Sequence, residues 1–272
     1  LLALVIPAAS QQRGVVSTIQ SVIDLSENEA EAKPKVDVVA VVTHIDTRWG
    51  TVFLSDENAR GIYVAPSGQR FQSLRFGCSV RVRGEAANGE ILPIINNGHF
   101  EVVDTNGKVP EPLRVEPASL EDTLRLDARW VKVSGIVADS FRQNERQGLM
   151  LLVGKHLVRA LPSEPIESWE STAMLGSWVT VQGHARALSE LDKEAVPLEI
   201  LVQDASHADH RPVEAADLAS YETRALSVGS LKSLFASRKA AVGVVAGQVS
   251  MAQGNRTFFL EDDTGGIRVH KA

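Results

Sequence analysis

The residues best suited to bind a ligand are an aromatic side chain and two arginines at alternating strand positions. Tyr63 alternates with Ile62 and Val64, and Arg81 and Arg83 alternate with valines. Where the aliphatic residues of such strands face inward, the alternating residues point outward. An outward face of aromatic and guanidinium groups can stack on bases or sugars, or bind an anionic metabolite. With two further aromatic residues placed nearby, the predicted ligand-binding face comprises Trp49, Phe53, Tyr63, Arg81 and Arg83.

Two aspartates at matching places in the sequence are interpreted as turn residues. Asp56 precedes Gly61, and Asp262 precedes the pair Gly265 and Gly266. A turn aspartate accepts hydrogen bonds from nearby backbone N–H groups. Glycine permits a positive φ or a close approach of the backbone. The alternative for the aspartates is contact with a ligand or cation.

Other chemistry has little support in the sequence. The only cysteine, Cys78, precedes an aliphatic strand and is interpreted as a packed thiol. His207 and His210 form the one local histidine cluster, and zinc needs three or four such ligands around one point. We therefore expect no catalytic residue, no metal site, no cofactor and no enzymatic activity in these residues.

An internal repeat determines the expected organisation. Residues 52–64 and 258–269 share an apolar-Phe-Leu-x-Asp segment, a turn and Gly-Ile-x-Val. Residues 76–84 match residues 175–183, including the central Val-x-Val and the final glycine, at an offset of 99 positions. Such self-similarity is the signature of a repeated structural unit.

Each unit has five short strand patterns with an interruption before the fourth, which is typical of the OB-fold, a small Greek-key barrel. We predict an all-β chain of tandem OB-fold-like barrels with short helices between strands and a truncated third barrel. Unit 1 is predicted at 18–104, unit 2 at 112–204 and the first half of unit 3 at 223–272. Linkers are expected at 105–111 and 205–222, and a signal-peptide remnant and leader at 1–17.

The pattern in which Val41-Val42-Thr43 precedes Phe53-Leu54-Ser55-Asp56 and Gly61-Ile62-Tyr63-Val64 resembles the OB-like repeats of bacterial extracytoplasmic sensor regions. The middle unit departs from it, with Val153-Gly154-Lys155-His156 at the hairpin turn. The resemblance implies a non-enzymatic, periplasmic sensory or ligand-binding region. Such regions precede a membrane segment and a histidine kinase or diguanylate cyclase module, which would lie outside these residues.

The net charge of each predicted barrel indicates which kinds of partner it can bind. Residues 18–104 contain 8 Lys and Arg against 12 Asp and Glu, and residues 112–204 contain 10 against 14. Two barrels of net charge −4 disfavour a polyanion such as nucleic acid. The expected partner is an unknown small molecule or protein, and an oligomer is compatible with this interpretation. The alternatives are an OB-fold binder of single-stranded nucleic acid or oligosaccharide, a structural spacer, and a merely solvated barrel face.

Overall fold

A computed structural model of the protein divides it into two units, residues 1–110 and 111–272. The boundary lies within the predicted linker 105–111. The structure describes residues 14–68, 70–154, 156–170, 174–188, 198–214, 228–229, 245, 247–253 and 257–270. Most of the predicted leader, much of the linker 205–222 and the first part of unit 3 lie outside these residues.

The first unit begins with two short helices, α1 (Ile19–Ile23) and α2 (Glu27–Glu31). The Thr18 side chain accepts a hydrogen bond from the backbone N–H of Ser21 at 3.0 Å, which caps α1. Glu29 caps the start of α2, because its carboxylate accepts a hydrogen bond from the backbone N–H of Ser26 at 3.0 Å.

Five strands then form a closed barrel. They are β1 (Lys35–Asp46), β2 (Thr51–Ser55), β3 (Gly61–Pro66), β4 (Ser79–Ala87) and β5 (Ile94–Asp104). Their order around the barrel is β1-β2-β3-β5-β4, with β3 and β5 parallel and the other pairs antiparallel. This is the Greek-key order of the OB-fold. Alternate residues fill the interior, among them Val38, Val42, Val52, Leu54, Ile62, Val64, Val80 and Val82.

The second unit repeats this topology. Its strands are β6 (Leu113–Arg114), β7 (Trp130–Gln143), β8 (Arg146–Val153), β9 (His156–Pro162), β10 (Trp178–Ala187), β11 (Leu198–Val202) and β12 (Ala208–Arg211). The sheet runs β12-β10-β11-β9-β8-β7-β6, and the additional pairing of β10 with β7 closes the barrel. Short 3-10 turns occur at Arg70–Ser73 in the first unit and at Pro117–Glu121, Thr123–Leu126, Glu167–Glu170 and Ala205–His207 in the second.

Strand β12 lies where the sequence predicted a linker. The first half of β10, from Trp178 to Val181, pairs with β12, whereas β11 pairs only with Gly183 to Ala187. The backbone groups of β10 beyond the reach of β11 need hydrogen-bond partners, and residues 208–211 supply them. The chain therefore returns to the sheet at β12, after the 3-10 turn Ala205–His207, within the stretch predicted as a linker.

A three-stranded antiparallel sheet follows, made of β13 (Gln248–Gln253), β14 (Thr257–Asp262) and β15 (Gly265–His270). Its register matches the first three strands of each barrel. The pairing of strands one and two shifts between Val42 and His44, between Val137 and Asp139, and between Val249 and Met251. A β-bulge at the same place in all three sheets bends each first strand in the same way. The predicted all-β, OB-fold-like class is confirmed.

Candidate functional site

The β1–β2 loop of the first barrel presents an arginine and a tryptophan to solvent. Arg48 is exposed, and Trp49 is 46% exposed. The buried Asp46 holds the loop, since its Oδ1 accepts from the backbone N–H of Arg48 at 3.0 Å and of Trp49 at 3.3 Å. Gly50 ends the loop with a φ of +64°, which the absence of a side chain permits. In OB-folds this loop and the neighbouring outer face of strands two and three usually contact the ligand.

Three aromatic rings follow one another across the outer face of β1, β2 and β3. His44 lies opposite Phe53 in the strand pairing, and Phe53 lies opposite Tyr63. The ring centroids are 6.0 Å apart for His44 and Phe53 and 5.5 Å apart for Phe53 and Tyr63. Phe53 is buried, whereas Tyr63 is half-buried, and this burial raises the pKa of the Tyr63 hydroxyl. The structure thus brings together Phe53 and Tyr63 of the predicted face, with Tyr63 as the more accessible ring.

The two predicted arginines lie on a different part of the barrel. Arg81 and Arg83 belong to β4, which pairs with β1 and β5 and not with β2 or β3. Both contact Asp37 on β1: Arg81 through Nε at 2.6 Å and Nη2 at 2.8 Å, Arg83 through Nε at 3.3 Å. Hydrogen bonds from Arg81 hold the pKa of the Asp37 carboxyl below its usual range, and the Asp37 carboxylate raises the pKa of Arg81. The expected single aromatic-and-arginine face is therefore two separate faces.

The predicted turn aspartates accept hydrogen bonds from the backbone. Asp56 Oδ1 accepts from the N–H groups of Asn58 at 2.9 Å and Arg60 at 3.0 Å, and Gly61 starts β3 as a buried residue. The Arg60 side chain donates one hydrogen bond from Nε to Asp56 Oδ2 at 2.7 Å. It donates another from Nη1 to Gln20 Oε1 on α1, also at 2.7 Å. The turn aspartate thus also anchors its hairpin to the preceding helix.

The later hairpin has a similar turn. Asp262 Oδ1 accepts from the Thr264 N–H at 2.8 Å and hydroxyl at 2.6 Å, and Oδ2 accepts from the Val228 N–H at 2.7 Å. These hydrogen bonds lower the pKa of the Asp262 carboxyl, and the bond from the Thr264 hydroxyl has the largest effect. Gly265 has a φ of +150°, and Gly266 lies against the Glu261 side chain.

On the second barrel, the equivalent outer face carries charged groups that sequence reasoning missed. Met150 lies opposite Arg159, Arg159 opposite Glu199, and Glu199 opposite Arg186. The Glu199 side chain is fully buried, contacts Arg159 Nε at 3.3 Å and bonds with Arg186. Arg159 also stacks on Phe141, with its guanidinium carbon 4.3 Å from the ring centroid. The alternation of Leu198, Glu199 and Ile200 marks Glu199 as outward, but nothing local in the sequence marks it as buried.

The histidine cluster and the cysteine, for which the sequence predicted no metal site and a packed thiol, have the following contacts. His207 Nδ1 lies 3.0 Å from Asp204 Oδ1, and the His207 ring lies 5.8 Å from that of Trp130. Among the residues that the structure describes, no group of three His, Cys, Asp or Glu side chains is placed to hold a metal ion. Cys78 is buried, and its thiol donates to the Arg75 carbonyl at 2.9 Å.

Comparison with known proteins gives a likeness at the level of fold. No family model matches the chain, and no curated protein does. A murine DNA-binding protein bound to double-stranded DNA is 11% identical, with a TM-score of 0.34 over 66% of this chain and 99% of that chain. Fission yeast Pot1 with single-stranded DNA is also 11% identical, with a TM-score of 0.34 over 75% of this chain and 91% of that chain.

A third solved structure, assigned as an aspartyl-tRNA synthetase from Leishmania major Friedlin, is 14% identical with a TM-score of 0.30. The match covers 40% of this chain and only 22% of the synthetase chain. With TM-scores below 0.5, these likenesses are limited to the general fold. Separately, among the described residues we find no helix with the length and apolar character needed to cross a membrane.

These comparisons contradict one expectation from the sequence. The net charge of the barrels was taken to disfavour nucleic acid as a partner, yet structures similar to this chain are complexes with double-stranded or single-stranded DNA. The net charge of a whole barrel is a poor criterion, because base stacking on aromatic side chains and a few local cations can provide the binding.

Proposed function

We propose that this chain is a non-catalytic binding protein whose first barrel binds single-stranded nucleic acid at the β1–β2 loop and the adjoining outer face of β2 and β3. The observation that carries the proposal is the exposed Trp49, which Asp46 holds beside the exposed Arg48. An indole ring offers a flat surface for a base, and a neighbouring guanidinium suits a phosphate. Tyr63 supplies a second ring on β3, opposite Phe53 of β2.

The charge of the barrel shapes the expected binding mode. Residues 18–104 carry a net charge of −4, so long-range attraction to a polyanion is absent. Stacking on an aromatic side chain contributes about 1–3 kcal/mol per base whatever the base. We therefore expect a short site that depends mainly on stacking, with affinity that falls only gently as salt is added.

The second barrel is a poorer candidate for the same ligand. Its β7–β8 turn is formed by Asn144 and Glu145, and no aromatic residue lies in that turn. The outer face beside the turn carries the buried Glu199 and the buried Met150. The ring nearest that turn is the half-buried Phe141, and the Arg159 guanidinium already stacks on it.

The test is titration of the chain into fluorescein-labelled oligothymidine of about 12 nucleotides, within the usual site size of an OB-fold, followed by fluorescence anisotropy. Trp49→Ala should weaken binding at least about 10-fold, whereas Trp49→Phe should retain most of it. Leu124→Ala is the matched control, because Leu124 is also 46% exposed but lies in the second unit. Equal binding by wild-type protein and Trp49→Ala would contradict the proposal.

A carbohydrate arm separates the proposal from its nearest alternative. Oligosaccharides also stack on tryptophan, so cellohexaose and chitohexaose are titrated in parallel. Binding of a sugar that Trp49→Ala abolishes, without any binding of oligothymidine, would replace nucleic acid by oligosaccharide at the same site. The extracytoplasmic sensory role stays a prediction of the sequence resemblance, to be tested by locating the full-length protein in cell fractions.

A further inference from the structure

A groove of about 350 Å³ lies on the outer face of β1, β4 and β5 of the first barrel. Gly84 forms part of its floor, at the point where the pairing of β4 with β5 shifts register between Arg83 and Glu85. A Cβ atom at Gly84 would lie 2.5 Å from the Asn96 carbonyl oxygen, so a residue with a side chain does not fit there. The groove thus lies beside this irregularity in the β4–β5 pairing. The polar side chains lining it are Lys35, Asp37, Arg83, Glu85, Asn97 and His99.

Both carboxylates of the groove already have close cationic partners. Lys35 Nζ lies 2.6 Å from Glu85 Oε1, and Arg81 binds both oxygens of Asp37 at 2.6 and 2.8 Å. The hydrogen bond from Lys35 lowers the pKa of the Glu85 carboxyl. Each of the two carboxylates that line the groove is therefore already paired with a cation other than Arg83.

Among the residues that the structure describes, both ion pairs of Arg83 are long. Its Nε is 3.3 Å from Asp37 Oδ2, an oxygen that Arg81 also occupies, and its Nη1 is 3.3 Å from Glu101 Oε2. Its side chain is 53% exposed, and that of Glu101 is 63% exposed. Charge-assisted hydrogen bonds between a guanidinium and a carboxylate are usually 2.7–2.9 Å long, so these two are weak. Among the cations of the groove, Arg83 is therefore the one that carboxylates bind most weakly.

We propose that this groove is a binding site for a small oxyanion, a carboxylate or a phosphate, held by the guanidinium of Arg83. The exposed His99 faces Arg83 in the pairing of β4 and β5 and adds a ring N–H, while the exposed Asn97 adds a side-chain amide. A volume of this size suits a small metabolite and not a polymer. The site is separate from the β1–β2 loop and from the face that carries Tyr63.

The geometry also assigns different roles to the two arginines. Arg81 is committed to Asp37 and positions that carboxylate, whereas Arg83 contacts the ligand. Removing the Asp37 charge releases both guanidinium groups, so Asp37→Asn should strengthen anion binding. Removing Arg83 should weaken it. A nonspecific effect on folding would lower binding in both variants, so the opposite signs distinguish a site from a folding defect.

The experiment is isothermal titration calorimetry of the full chain at neutral pH and low ionic strength, with sodium succinate and inorganic phosphate as separate probes. Arg83→Gln should weaken binding of the probe at least about 10-fold, and Asp37→Asn should tighten it. Arg125→Gln is the matched control, because Arg125 is 86% exposed and pairs only with Asp122 among the described residues. The probe that binds more tightly identifies the anion as carboxylate or phosphate.

Two results would overturn the proposal. One is the absence of heat with either probe in the wild-type protein. The other is unchanged affinity in Arg83→Gln. Neither result touches the nucleic-acid proposal, which depends on Trp49, and loss of oligothymidine binding in Trp49→Ala leaves the succinate or phosphate titration unchanged.

Discussion

Arg159 and Glu199 face each other on the neighbouring parallel strands β9 and β11, with Nε and Oε1 3.3 Å apart. Arg186 binds the other oxygen of the same carboxylate from β10. Glu199 is fully buried, whereas the side chains of Arg159 and Arg186 are 26% and 43% exposed. A buried carboxylate is tolerated because two cations flank it.

Replacing Glu199 by Gln should destabilise the second barrel by about 1–3 kcal/mol. Removing one partner of a buried ion pair typically costs about 3–5 kcal/mol, and the partial exposure of both arginines reduces this figure. Urea unfolding followed by circular dichroism measures the effect. Asp122→Asn removes an exposed carboxylate from its pair with Arg125 and should change stability by less than about 0.5 kcal/mol. Equal stability of Glu199→Gln and wild-type protein would show that the ion pairs of Glu199 with Arg159 and Arg186 do not contribute to the stability of the barrel.

Sequence reasoning predicted the barrels well because the repeat concerns backbone geometry. Gly77 and Gly176 have φ values of +82° and +79°. The Gly77 N–H donates to the Val42 carbonyl at 2.8 Å, and the Gly176 N–H donates to the Val137 carbonyl at 2.9 Å. Two glycines 99 positions apart that make the same backbone hydrogen bond leave a clear trace in one sequence.

The candidate site was less predictable, since alternation gives the direction of a side chain but not its neighbours. Arg81 and Arg83 were expected beside Tyr63, but closure of the barrel places β4 against β1 and β5. Their partner Asp37 lies 44 positions from Arg81. No local pattern reports such a contact, and for the same reason the burial of Glu199 could not be foreseen.

The glycine of each Val-x-Val-x-Gly segment, Gly84 within β4 and Gly183 within β10, should be important for the stability of its barrel. At Gly183 a Cβ atom would lie 2.3 Å from the Leu201 carbonyl oxygen and 2.8 Å from Ile200 Cγ2. Gly183→Ala must displace the backbone of β11, so we expect a loss of about 1–3 kcal/mol, as for overpacked cores. Chemical denaturation measures it. Gly14→Ala is the control, because nothing lies within 4 Å of a Cβ atom there. A Gly183→Ala variant as stable as that control would mean that β10 and β11 are less closely packed than described.

Cys78 should report on opening of the first barrel. It is the only cysteine of the chain, it is 4% exposed, and its thiol donates to the Arg75 carbonyl. A thiol reagent reaches it only when the structure opens. Labelling with a chromogenic disulfide should therefore be at least about 100-fold slower than for the chain in guanidinium chloride. Fast labelling of the native protein would place Cys78 at an accessible surface.

Tyr63 should make the stability of the first barrel fall at alkaline pH. Burial raises the pKa of its hydroxyl above its ordinary value of about 10, because the ionised form is less well solvated. As the pH rises past the unfolded pKa, the unfolded chain loses the proton before the folded chain does, which favours unfolding. The stability contribution is fully present below about pH 10 and is lost as the pH rises through the folded pKa. Thermal melts of wild-type protein and Tyr63→Phe between about pH 8 and 11.5 test this, and near-ultraviolet titration should show a late tyrosine ionisation that the variant lacks. The difference in melting temperature should be constant below about pH 9 and should shift in favour of Tyr63→Phe above it. A parallel decline of both proteins over the whole range would show that Tyr63 ionises as freely as an exposed tyrosine.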